Sequence, residues 1–314
     1  MTSPTAAPTP TPPGFPAPIR ATLADLPPVA AEAIRYARAL PEDGSRCTVE
    51  TDRGSFSSLS WGPAGAPPLL LVHGVLSSAR SYWRIGPALA ALGRRVVAID
   101  LPGHGRTGGG QDGTGFGFAE TAADVGAFAR AALPDADQRE WSVIGHSWGA
   151  MVAAHLPVAG FRAGRTVLLD PPVMDRAILE AMVNDPAERP DMAPGSALAT
   201  VRAQNPDWIE GEQIVKAESL TQVVPAAAVS ILLGNGDWDA GLAALTDATV
   251  PAVPTWIVRG EDAAGSLCPA GWLPRLGEAI GVDRVLTIAG GPHSPQRTHV
   301  EATTVALLRA LTDR

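Results

Sequence analysis

The apolar rhythm of the chain changes several times from its N-terminal end, and each change marks an element. Residues 27–40 (PPVAAEAIRYARAL) open with proline and place apolar side chains at helical spacing, which predicts a helix. Residues 46–52 and 55–61 turn at Asp52-Arg53-Gly54 and read as a hairpin. Leu69 to Val72 is a short unbroken apolar run, as a strand buried on both faces requires. Helix and strand then take turns: helix 81–92, strand 95–99, helix 118–132, strand 141–145, helix 148–158 and strand 166–169. After a long gap the series resumes with strand 255–259, helix 270–280, strand 284–288 and helix 298–312. Strands regularly separated by helices imply an α/β fold, a mainly parallel sheet covered on both faces.

Two segments break the rhythm. The first eighteen residues hold seven prolines and lack the basic start and apolar run of a signal peptide, so residues 1–19 are expected to be a disordered tail. Between Asp170 and about Val250 the chain reads as helical pieces broken at Pro186, Pro190, Pro194, Gly195, Pro206 and Gly211. Residues 173–250 are therefore expected to be a helical insertion in a core formed by 20–172 and 251–314. Residues 171–250 carry 12 acidic and 4 basic side chains against 20 of each elsewhere, so the net charge of −8 resides there.

Composition narrows the class. With 46% hydrophobic residues in 314, the chain can bury a large core, which excludes wholesale disorder. No stretch reaches the ~18–20 consecutive apolar residues of a membrane helix. The negative charge and the lack of a basic run argue against a nucleic-acid surface. Two cysteines, Cys47 and Cys268, make no disulfide framework, which fits a reduced, cytoplasmic compartment.

The chemistry concentrates after the strand at 141–145. There Gly145-His146-Ser147-Trp148-Gly149 follows an apolar strand and precedes an alanine-rich helix, the required setting of G-x-S-x-G. A serine on so sharp a turn sits in strained dihedrals and its oxygen is lifted to a helix N-terminus, with glycines where side chains would collide. Serine needs a base. Of the six histidines, His146 adjoins the serine on a turn whose neighbours point apart, and His155 lies mid-helix among alanines. His73 and His104 sit in glycine loops after strands. His293, in the loop after the last strand, is the best base, with His299 in the following helix the weaker choice. The orienting carboxylate is expected at Asp262, with Asp170 second and Glu261 third, since all three follow strands at the serine's end of the sheet. The backbone N–H groups of Val75 and Trp148 are assigned to the oxyanion.

LLLVHG at 69–74 with Tyr82-Trp83, VVAIDLPGHGRT at 96–107, GHSWG and GGPHS occur in one order, and together they resemble the α/β-hydrolase superfamily in its capped serine-hydrolase branch. The resemblance covers roughly 45–172 and 251–314. It implies eight strands, a helical cap inserted after the sixth, and a triad in the order serine, acid, histidine, falling on Ser147, the candidate acids and His293. One departure concerns the acid: the family's G-x-x-D position after Gly260 holds Ala263. Serine at the nucleophile position disfavours dehalogenase and epoxide hydrolase chemistry, which use aspartate there in relatives.

The expected activity is cofactor-free hydrolysis of a carboxylic ester or lactone of a neutral, apolar or aromatic small molecule, by a monomer or homodimer that binds neither nucleic acid nor membrane. Amidase, carbon–carbon hydrolase and perhydrolase chemistry would use the same triad. A lyase or cyclase, or a binding protein without turnover, would use the same fold. Candidate substrate contacts are His73, Trp83, Trp208 and Trp238, and the insertion adds Met174, Ile178, Leu179, Met182, Ile231 and Leu232. The acid surplus of the insertion predicts that anionic substrates are disfavoured.

Overall fold

The structure is a computed structural model that describes residues 11–37, 44–185 and 192–313. Among these residues, eight strands form one sheet: β1 (Ser45–Thr51), β2 (Gly54–Trp61), β3 (Pro68–Val72), β4 (Arg95–Ile99), β5 (Ser142–His146), β6 (Arg165–Leu169), β9 (Thr255–Arg259) and β10 (Val285–Thr287). Their order is β1-β2-β4-β3-β5-β6-β9-β10. β2 runs antiparallel to β1 and β4, and every other neighbour is parallel. The run at β3 explains its own composition: Leu69 and Leu71 enter the core on one face, Leu70 and Val72 the core on the other.

Helices α1 (Pro28–Tyr36), α2 (Ile85–Ala91) and α12 (Val300–Thr312) cover the Leu69 face; α3 (Phe118–Ala132), α4 (Trp148–His155) and α10 (Leu273–Ile280) cover the other. Two helices are shorter than their apolar patterns suggest. A separate turn at Ala79–Tyr82 precedes α2, and α4 stops before Pro157, which cannot continue the ladder. The end of the helix expected at 27–40 lies outside the described residues from 38 on.

The expectation of a disordered tail over 1–19 needs correction. Residues 1–10 lie outside the described residues, but Ile19 adds a parallel bridge to the edge of the sheet at Ile288. Its N–H donates to Thr287 O at 2.7 Å and its carbonyl accepts from Ala289 at 3.0 Å. Phe15 packs on α10 beside Gly277. The apolar side chains among the prolines give this segment something to bury, and the edge strand offers it bonds.

Between β6 and β9 the chain forms β7 (Val173–Met174), α5 (Arg176–Val183), α6 (Pro194–Gln204), α7 (Glu210–Thr221), α8 (Pro225–Gly234), β8 (Trp238–Asp239) and α9 (Leu242–Leu245). The expected breaks at Pro186 and Pro190 lie outside the described residues. β7 and β8 pair antiparallel, with Met174 opposite Trp238, so the inserted segment leaves and rejoins the core through a two-stranded neck.

Candidate active site

Ser147 sits between β5 and α4 with φ +55°, a value that side-chain-bearing residues seldom adopt. The neighbouring glycine is imposed by space: a Cβ on Gly145 would overlap the carbonyl oxygen of Gly149. Gly74 is a second such position, where a Cβ would stand 2.8 Å from that of Ser147. The loop after β3 therefore passes directly beside the serine. Among the described residues, no carbonyl accepts from the N–H of Val75 or of Trp148, so both donors assigned to the oxyanion lie near Ser147 without a backbone partner.

His293 Nε2 lies 2.9 Å from Ser147 Oγ, and His293 Nδ1 lies 2.7 Å from Asp170 Oδ2. Asp170 is fully buried directly after β6 at φ +45°, and it accepts three further bonds: from Gly260 N–H at 2.9 Å, Leu267 N–H at 2.9 Å and Ser266 Oγ at 2.6 Å. Burial alone would raise its pKa, but His293, Ser266 and Gly260 outweigh that and hold the carboxyl below the usual aspartate range. The first-ranked acid is thus misplaced. Asp262 pairs with Arg259 and accepts the Ala270 N–H, and neither of its oxygens is bonded to His293. Glu261 turns to the Gly290 N–H at 3.1 Å. All three acids follow a strand at the same sheet end; the tight turn at Asp170 alone aims its carboxylate at the histidine.

The other histidines have structural roles. His73 Nε2 accepts the Leu101 N–H at 3.0 Å, so Nδ1 carries the proton and donates to Gly74 O at 2.8 Å. With both nitrogens spent on backbone and the ring fully buried, His73 is not a substrate contact. Burial pushes His104, and burial together with the nearby His293 pushes His146, down to about 3, so both rings are neutral. His146 Nε2–H donates to the carbonyl of His293 at 2.9 Å and the two rings lie 4.9 Å apart, which makes His146 a support of the base that the sequence did not reveal. Ser266 is a second such residue. His299 caps α12 instead of lying inside it.

A cavity of about 470 Å³ lies over Ser147 and His293. Val75, Leu76, Met174, Met182, Leu232 and Trp238 make it largely apolar, with Trp208, Asn205, Lys216 and Arg297 on its lining as well. Trp208 and Trp238 are thus placed at the site. Trp83 is not: it is buried elsewhere and donates its Nε1–H to Glu212 at 3.0 Å, because a buried indole needs an acceptor. Ile178, Leu179 and Ile231 do not line the cavity; Leu179 and Ile231 pack into the core and Ile178 is exposed. Among the described residues no group of three or more His, Cys, Asp or Glu side chains is arranged to hold a metal ion, and no helix is long and apolar enough to cross a membrane.

Residues 67–290 match the family model for the alpha/beta hydrolase fold. The chain is 34% identical over 100 residues to a serine hydrolase-like protein of Danio rerio, covering 32% of this chain and 29% of that protein. It is 34% identical over 134 residues to lipase LipV of Mycobacterium tuberculosis, covering 40% and 47%. The matched region thus spans less than half the length of either relative. In fold it is similar to E-2-(acetamidomethylene)succinate hydrolase, with TM-score 0.68 at 20% identity over 85% of this chain and 98% of that one. It is also similar to the esterase RhEst1 of Rhodococcus sp. ECU1013, with TM-score 0.66 at 16% identity over 86% and 99%.

Proposed function

The chain belongs to the α/β-hydrolase family, and on that premise we propose that it is a serine hydrolase cleaving a carboxylic ester or lactone through an acyl-enzyme on Ser147. The observation that carries this reading is the continuous line of hydrogen bonds from Ser147 through His293 to Asp170, opening on one cavity. Asp170 accepts from Nδ1–H of His293 and so leaves Nε2 unprotonated to take the Ser147 proton. Ser147 Oγ attacks the carbonyl carbon, and the N–H groups of Val75 and Trp148 meet the developing oxyanion. His293 then returns the proton to the leaving alkoxide. Water, deprotonated by the same nitrogen, releases the acid and restores the serine. These residues supply nucleophile, base, orienting acid and oxyanion donors, and the proposed reaction uses no cofactor.

In this reading the inserted helices act as a cap, and their apolar lining side chains receive an apolar or aromatic part of the substrate. The test is labelling with a fluorophosphonate, followed by a panel of esters, lactones and amides. Labelling of the wild-type protein and none of Ser147→Ala is expected, with ester or lactone turnover. A wild-type protein that stays unlabelled would falsify the reading.

A further inference from the structure

Among the described residues, the acid surplus of residues 171–250 does not gather around Ser147. Of the described charged side chains lining the cavity, Asp185 is acidic while Lys216 and Arg297 are basic. The most deeply buried acid of the insertion, Glu212, accepts from Arg297 Nη1 at 2.8 Å and stands 3.9 Å from Arg84. The described lining thus carries one acidic and two basic side chains, a balance that admits an anionic group.

Arg297 is the informative residue. It is 5% exposed, lies four residues after His293 in the short helix α11 (Pro295–Thr298), and its guanidinium lies over Trp208, 5.4 Å from the ring centroid. A guanidinium carries five N–H donors. Among the described residues Glu212 is bonded to Nη1, while Nε and Nη2 have no protein acceptor and are not among the unpartnered polar atoms sealed away from the surface. Nε–H and one Nη2–H run parallel, the edge that takes a carboxylate with two bonds. Arg297 lines the Ser147 cavity, and also a neighbouring one bounded by Trp208 and His299.

We propose that Arg297 seats a carboxylate of the substrate, so that the hydrolase acts on esters carrying a free carboxylate away from the scissile bond, as in half-esters of dicarboxylic acids. The chemistry rests on the serine-hydrolase reading above; the seat itself does not. Glu212 fixes the plane of the guanidinium and Trp208 covers one face, which pre-orients the open edge. Leu76, Met174, Leu232 and Trp238 supply an apolar wall for the methylene chain between the two ends.

The test uses Ser147→Ala, which binds without turnover. Ethyl half-esters of succinate, adipate and suberate, and the matching diethyl esters, are titrated by calorimetry and by tryptophan fluorescence at low ionic strength. At the best chain length the half-ester is expected to bind at least about tenfold more tightly than its diester, since hydrogen bonds to charged groups are the strong ones. Adding Arg297→Gln should bring that ratio toward one, and Arg297→Lys, which keeps the charge without the parallel donors, should retain part of it. Equal or weaker binding of every half-ester in Ser147→Ala overturns the seat, and this comparison stands even where the Arg297 variants do not fold. Diester cleavage by the wild-type protein with no preference for half-esters also overturns the seat and leaves the hydrolase reading intact. Tight half-ester binding without labelling or turnover does the reverse.

Discussion

Behind His293, on the floor that the strand ends make, Asp170 after β6 is held by two backbone N–H groups, one hydroxyl and His293, all from segments that follow β9 or β10. Behind Arg297 in the cavity wall, Glu212 of the insertion is held by Arg297 and Trp83, with Arg84 close by, side chains of the core that meet α7. Both are buried carboxylates, yet their environments differ in kind. The donors to Asp170 outweigh its burial and depress its pKa, whereas burial pushes the Glu212 carboxyl above the usual glutamate range despite the two arginines. A site anchored by strand ends and peptide groups has its geometry dictated by the backbone. A wall anchored by long side chains depends on a few charged contacts, and removing one leaves the others buried without a partner.

The sharpest way to test the first half of that contrast is to compare the three acids. Asp170→Asn should reduce kcat by roughly four orders of magnitude, because an amide in place of the carboxylate favours the wrong tautomer of His293. Asp262→Asn and Glu261→Gln should leave kcat near the wild-type value, since their partners are Arg259, the Ala270 N–H and the Gly290 N–H. The measurement is kcat at saturating substrate, with circular dichroism to establish equal folding. An inactive Asp262→Asn beside an active Asp170→Asn would reverse the assignment.

The second half is tested at Glu212. Glu212→Gln retains an acceptor for Trp83 but leaves the guanidinium of Arg297 without its carboxylate inside a buried site. Breaking such a contact costs about 3–5 kcal/mol. The midpoint of urea unfolding should fall accordingly. KM should rise more than kcat falls, since the Ser147–His293–Asp170 line does not touch Glu212. An unchanged midpoint would mean that the wall is held by apolar packing alone.

The same contrast explains what the sequence could reveal. The serine turn is legible because its backbone admits few residues: Gly145 has no room for a Cβ, and the motif records that. His293 is legible from its place after the last strand. Position along a strand does not separate Asp170, Glu261 and Asp262, and the choice depends on a φ of +45° at Asp170 and on where the Arg259 side chain lies. The wall is less legible still. Glu212 reads in sequence as one more acid on a solvated helix, although it is 1% exposed, and Trp83 reads as a substrate contact although its indole is committed to Glu212. Arg297 belongs to no spacing pattern, because its role follows from a contact made 85 residues away in the chain.

The smallest expected effect is at Ser266, and it probes how redundant the floor is. Its hydroxyl donates to Asp170 Oδ1, which also accepts the Gly260 N–H, while Leu267 N–H and His293 share Oδ2. Hydrogen bonds to charged groups contribute about 1.5–3 kcal/mol, but two backbone donors remain after Ser266→Ala, and these hold the carboxylate within reach of His293. A loss of roughly tenfold in kcat, about 1.4 kcal/mol in the barrier, is therefore expected, with KM unchanged. Ser266→Thr, which keeps the hydroxyl, should restore most of the rate, whereas a purely structural role would show as a lower unfolding midpoint with kcat preserved. Wild-type kcat in Ser266→Ala would show that the peptide donors at Gly260 and Leu267 suffice to orient Asp170, and the floor would then be a device of the backbone alone.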